Sequence, residues 1–263
     1  MNISVATHCW KYSRLLAYHL SGYILYPPRA CEVSVDVYAS RQDPGTQKVL
    51  ADMAPLFQAI PNVCLRPHFM ETHKLLFRGL WRHHHAQITD ADVVWFLDVD
   101  HIIHGKALDH IAGFVGEHPD NNLFWPANHY RTATHKHGDK LIQQVDLDQP
   151  EKYPLKIDYN LVPWQAGMYG SAVGGVQIIR ASSLKEKGYL PKFWLWRLHK
   201  RSRQMRRQIK RGGPMAWARC HEDVPGRKQV GQKAMKIYSR KMGRGITRIR
   251  HSVAGRDDPS CIN

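Results

Sequence analysis

Asp98-Val99-Asp100 follows directly on Val93-Val94-Trp95-Phe96-Leu97, a run that is apolar at every position. In an extended chain, residues two apart project to the same side, so the two acids would stand together at the end of that run. Paired carboxylates repel one another and call for a cation. A hard divalent ion takes oxygen ligands and usually shares them with substrate phosphates, so the pair suits Mg²⁺ or Mn²⁺ held against a diphosphate. A strand ending in acids can also be a plain turn, but five buried-type residues before the pair favour the ligand reading.

A second acid pair, Glu222-Asp223, stands in the opposite surroundings. Residues 187 to 251 hold 20 Lys and Arg against these two acids alone, a charge of +18, while the rest of the chain sums to −2. Either a specific role retains them there or they form salt bridges with the cations around them. Seventeen histidines raise the question of zinc, and His83-His84-His85 is the densest group. Its neighbours Leu80, Trp81 and Ala86 fit a helix, on which consecutive side chains point about 100° apart and cannot share one ion. The three histidines therefore read as a solvated helix face.

The elements that must position these groups follow from periodicity. Ile3 to Ala6 is a buried-strand pattern ending at Thr7-His8, and Trp10 to Tyr23 has helical spacing. A second strand fits Val33 to Tyr38, with the turn signal Asp43-Pro44-Gly45 before a helix from Gln47 to Ala59. Val63 to Arg66 is a third strand, Thr72 to Gln87 a helix and Val93 to Leu97 a strand buried on both faces. Beyond Asp100 come a helix at Ala107 to Glu117 and a strand at Leu123 to Pro126, then aperiodic sequence to Tyr169 that reads as irregular structure over the active face. Gly174 to Arg180 resumes as a strand, Ala181 to Lys187 is a helix stopped by Gly188, and residues 192 to 211 form a last helix with Trp194, Leu198, Met205 and Ile209 on one stripe. Strands alternating with helices predict an α/β, largely parallel, doubly wound sheet over residues 1–190, with a basic, largely helical part at 191–263.

Bulk properties set bounds on this scheme. With 43% hydrophobic residues in 263, the chain has enough apolar material for one sizeable core. No signal peptide is legible at the start, and the longest strongly apolar run is far below the roughly 20 residues of a membrane span. Cys9, Cys31, Cys64, Cys220 and Cys261 are odd in number and scattered, which predicts reduced thiols in a cytoplasmic compartment.

The segments VATHCWKYSRLLAYHLSGY, VVWFLDVD, GGVQIIRASSLKEKGYL and HEDV occur in the order and spacing of glycosyltransferases with the GT-A fold, and the chain resembles family-2-like members in particular. The resemblance implies inverting transfer of a sugar from a nucleotide-diphosphate donor with Mn²⁺ or Mg²⁺. It implies that Thr7, His8 and Asp36 cup the nucleoside, that Arg78 or Lys74 approaches the base or diphosphate, and that Asp98 touches the ribose or a metal-bound water. Asp100 would bind the metal directly, His251 would join its shell, and Gly174-Gly175 would pass close to the sugar. Asp223 would be the catalytic base, with Glu222 as the alternative. The chain lacks the DDGS and QxxRW elements of the commonest family-2 pattern, which argues against a processive polysaccharide synthase.

A basic third beside such a site predicts a polyanionic acceptor. Arg201, Arg203, Arg206 and Arg207 would meet its phosphates. The combination is similar to the enzymes that glycosylate hydroxymethylated pyrimidines in DNA, the base-J type and their phage relatives, acting in a host cytoplasm. On that reading Trp164, Tyr169 and Tyr130 would stack on an extruded base. Two other classes fit the composition: a transferase acting on lipid-linked or envelope saccharide, with Trp194 and Trp196 of the last helix in the headgroups, and a non-enzymatic nucleic-acid-binding protein.

Overall fold

The computed structural model describes residues 1–172, 175–210, 234–237 and 245–252. The first half alternates as its periodicity predicts: β1 (Asn2–Cys9), α1 (Ser13–Leu25), β2 (Glu32–Ser40), α2 (Pro44–Gln58), β3 (Val63–Met70), α3 (Thr72–Leu75), α4 (Arg78–Ile88) and β4 (Val93–Leu97). The Asp43 side chain caps α2 by accepting from Thr46 N, and Pro44 occupies the first turn, where its missing N–H is not needed. The single helix expected over Thr72 to Gln87 is two, because Phe77 leaves helical backbone (φ −92°, ψ 88°) and is buried in the core.

Next come β5 (His101–Ile103), α5 (Ala107–Glu117), β6 (Leu123–Pro126), β7 (Asn128–Thr132), α6 (His135–Ile142), β8 (Trp164–Met168), β9 (Val176–Arg180), α7 (Ala181–Lys187) and α8 (Lys192–Lys210). Two short strands follow, β10 (Ala234–Ile237) and β11 (Ile246–Arg248). The stretch to Tyr169 is thus not irregular; it contains two paired strands and a helix.

The main sheet has seven strands in the order β10-β6-β9-β4-β1-β2-β3. All its pairs are parallel except those of β9, which runs antiparallel to both β4 and β6. All five β4 residues are buried, as a central strand covered on both faces requires. A second sheet has four strands in the order β5-β11-β7-β8. Because β10 pairs with β6 and β11 fills the gap between β5 and β7, the segment after residue 190 is built into both sheets. Its described part is the helix α8 and two short strands.

The histidine run is not one solvated face. His85 is buried: its Nε2 donates to Ser4 Oγ (2.7 Å) and its Nδ1 accepts from Tyr38 OH (2.9 Å), since the Ser4 hydroxyl proton goes to Asp36 Oδ2 (2.8 Å). His83 packs against Gly188, and His84 is exposed. Cys9, Cys31 and Cys64 are free thiols.

Candidate active site

The Asp98-Val99-Asp100 segment does not continue the strand. His101 N donates to the Asp98 carbonyl (3.0 Å), folding the three residues into a turn between β4 and β5. The alternation of an extended chain therefore does not place the two carboxylates; the turn does. Both sit at the C-terminal edge of the sheet, where α/β folds bind their ligands.

Three guanidiniums converge on them. Arg78 Nη1 and Arg82 Nη2 each lie 3.4 Å from an Asp98 oxygen, and Arg248 Nε donates to Asp100 Oδ2 (2.9 Å). Burial would raise both carboxylate pKa values, but their neighbours outweigh it: Arg78 and Arg82 lower Asp98, and His101 and Arg248 hold Asp100 well below the usual carboxylate range. His101 Nδ1 lies 2.6 Å from Asp100 Oδ1 and 3.2 Å from the Asp98 carbonyl, and its Nε2 meets Tyr169 OH (2.6 Å).

Two buried polar atoms here make no hydrogen bond among the described residues, His8 Nδ1 and Thr7 Oγ1. Buried polar groups are nearly always paired, so these orphans at the end of β1, beside the Asp98–Asp100 turn, mark a place where a ligand supplies the partners. The two neighbouring carboxylates of Asp98 and Asp100 are oxygen donors of the kind that a divalent ion of the Mg²⁺ or Mn²⁺ type takes.

Several of the expected donor-site residues meet here. His8 faces Trp81 (ring centroids 5.4 Å apart) and is electrostatically close to Arg78, Asp98, Arg82 and Asp100. His251 packs edge-on against Tyr12 and is near enough to Asp100 to lower its pKa. Lys74 instead pairs with Glu71 (3.3 Å). Asp36 lies four residues before the end of β2, where its oxygens already take Ser4 and Ser34 hydroxyls (2.8 Å each) and His68 Nε2 (2.7 Å). It supports the wall of the site instead of lining it.

Trp164 requires a correction. Alternation along β7, β8 and β11 puts His129, Arg131, Gln165, Gly167 and Arg248 on the sheet face turned to Asp100, and Tyr130, Trp164 and Thr247 on the other. Trp164 stacks on Tyr130 there (5.7 Å, 10°) and contacts Tyr159, away from the donor carboxylates. Of the three aromatics expected over the site, only Tyr169 is beside it. Gly174, Glu222 and Asp223 lie outside the described residues. Arg201, Arg203, Arg206 and Arg207 are exposed on α8, Arg206 within 3.6 Å of Glu71.

Gly175 makes its close approach to Asp98. Its carbonyl accepts from Asp98 N (3.1 Å), and a Cβ on it would stand 2.6 Å from Asp98 Oδ2. Gly175→Ala should therefore displace the carboxylate, lowering stability by about 1–3 kcal/mol through overpacking and weakening donor binding far more than that loss alone explains. Thermal melts beside donor titrations separate the two effects; unchanged donor affinity would mean that the Asp98 carboxylate has no part in binding.

Burial also holds four histidines neutral. His8 is lowered to about 3, with Arg78 adding to the effect of burial, and His19, His85 and His129 to about 4. As pH falls below the ordinary value of 6.5, the unfolded chain gains protons that the folded chain refuses, so stability drops from there down to about pH 4. The lowered carboxylates Asp36, Asp98 and Asp100 add a further loss as pH falls through their own folded values. Urea midpoints should decline from pH 7 through 6 to 5; a flat series would show that these imidazoles charge without unfolding.

No protein-family model matches the chain, and no curated protein sequence matches it. Solved structures do. The 1–349 fragment of S. aureus TarS superposes with a TM-score of 0.56 at 11% identity, over 94% of this chain and 60% of that one. Its complex with UDP-GlcNAc gives 0.54 at 11% identity, over 90% and 56%. Longer TarS gives 0.57 at 10% identity, over 94% and 36%. The chain therefore spans 60% or less of the length of these structures. The architecture they share with it is the GT-A fold, as the motif resemblance implied.

Proposed function

We propose that the protein is a glycosyltransferase that moves a sugar from a nucleotide-diphosphate donor to an acceptor hydroxyl. The observation that carries this reading is the convergence of Arg78, Arg82 and Arg248 on two neighbouring carboxylates, beside the unpartnered His8 Nδ1 and Thr7 Oγ1, at the edge of a GT-A sheet. TarS, which shares the fold, has been crystallised with UDP and with UDP-GlcNAc. Three guanidiniums against two carboxylates leave the edge cationic, which suits a diphosphate.

In this reading Asp98 and Asp100, with His251 beside them, hold Mg²⁺ or Mn²⁺, which when bound neutralises charge on the departing diphosphate. Arg78 and Arg82 bind the diphosphate from α4, Gly175 keeps Asp98 in place, and neutral His8 with Thr7 offers hydrogen-bond partners at the end of β1. The acceptor oxygen attacks the anomeric carbon as the bond to the diphosphate breaks, and its proton passes to Asp223 or, in its stead, Glu222. The acceptor is anionic or borne on an anionic surface. With Trp164 on the far sheet face, the reading of an extruded DNA base loses its main stacking residue.

Thermal shift against nucleoside diphosphates and their sugars, with and without Mn²⁺, tests the proposal. A matching donor at about a hundred times its Kd should stabilise by about 2.7 kcal/mol, a rise of roughly 5–10 °C. No shift with any nucleoside diphosphate, with or without the ion, sinks it.

A further inference from the structure

α8 has two faces of opposite character. Leu198, Ser202 and Met205 are buried on its inner side against α3 and α4, where Ser202 Oγ donates to the His73 carbonyl (3.2 Å). On the outer side Phe193 and Trp196 are 62% and 57% exposed. At about 100° per residue, exposed Lys200, Arg203 and Arg207 prolong the same outward row. Lys192–Lys210 contains no acidic residue.

The aromatic pair is arranged in a particular way. The two rings face one another (6.5 Å, 26°), Arg197 lies over Phe193 (5.7 Å) and Lys200 over Trp196 (5.4 Å). A nucleic-acid base stacks on an open aromatic face, and here neighbouring groups of the same helix lie over those faces. What points outward is apolar ring edge among cations. Such a surface suits the boundary between headgroups and acyl chains, where rings enter the apolar layer and lysines and arginines meet anionic headgroups. Among the described residues no helix is long and apolar enough to cross a membrane, so the contact would be peripheral.

We propose that the outer face of α8 docks the protein on an anionic lipid surface, with Phe193 and Trp196 as its apolar anchors. Trp194, expected in that role from sequence, is partly buried against the core, and Phe193 takes its place. The proposal stands apart from the donor chemistry.

Sedimentation with vesicles tests it. The protein should bind phosphatidylglycerol–phosphatidylcholine vesicles, not phosphatidylcholine alone, and bind less as salt rises. Phe193→Ser with Trp196→Ser should lower that binding by about tenfold or more, with the melting temperature and the donor-induced thermal shift unchanged. Lys200→Gln with Arg203→Gln should weaken binding to anionic vesicles alone. Three results overturn the proposal: no binding of wild type to anionic vesicles, binding indifferent to the loss of both rings, or duplex DNA binding that needs both rings. A missing donor shift in wild type would instead count against the transferase reading and leave this one standing.

Discussion

Asp100→Asn should yield a folded protein that transfers no sugar. The amide keeps the size of the side chain but removes the charge that Arg248 Nε, 2.9 Å away, and a bound divalent ion would both oppose. Loss of an ion's charge stabilisation is worth several kcal/mol, so turnover should fall by at least about three decades. Arg248 loses its counter-charge in the same variant, so the melting temperature should drop as well. Circular dichroism establishes that the fold persists, and donor titration with and without Mn²⁺ should lose its metal dependence. Wild-type turnover in this variant would remove Asp100 from the active site.

Arg82→Met should damage stability and donor binding together. The Arg82 side chain is 1% exposed, donates to Tyr189 OH (3.0 Å), reaches Asp98 and lies over the rings of Trp81, Phe96 and Tyr189. Methionine fills similar space but leaves the partly buried Asp98 with Arg78 as its remaining close cation among the described residues. Removing the buried partner of a pair whose other member is partly exposed costs up to about 3 kcal/mol, so the melting temperature should fall by up to roughly 6–12 °C. Donor affinity should fall in parallel, and Arg82→Lys should recover part of the stability but less of the affinity, because an ammonium lacks the planar fork. A methionine variant as stable as wild type would show that Asp98 sits neutral in the fold.

Much of this geometry was open to sequence reading where local pattern decides it. β4, α5, β6 and α7 fall where apolar runs, helical spacing and the Gly188 stop put them. The second sheet was not legible, because β5 and β11 have three residues each and gain their register from partners more than 100 residues away. Hence the stretch holding β7 and β8 looked aperiodic, and Trp164 could not be assigned a face. Arg82 did leave a signal: it is four residues from Arg78, so both fall on one side of the helix before the Asp98 strand. Arg248 left none, being one of 20 cations in a basic run. His101 and Tyr169 join the site only through the turn at Asp98–Asp100 and the course of β8.

The place of β11 fixes when the site can exist during synthesis. Its three residues pair with β5 and β7, Ile249 N donates to the Asp100 carbonyl (2.8 Å), and Arg248 reaches the Asp100 carboxylate. A nascent chain emerging from its N-terminus can form β1 to β4 early, with Asp98 and Asp100 at the tip, while the strand that completes their surroundings is still more than 140 residues from being made. Closing so long a loop is slow, so assembly of the site belongs to the last steps of folding. Until then the two carboxylates lack the Arg248 charge, and a growing chain has no finished centre with which to engage a donor.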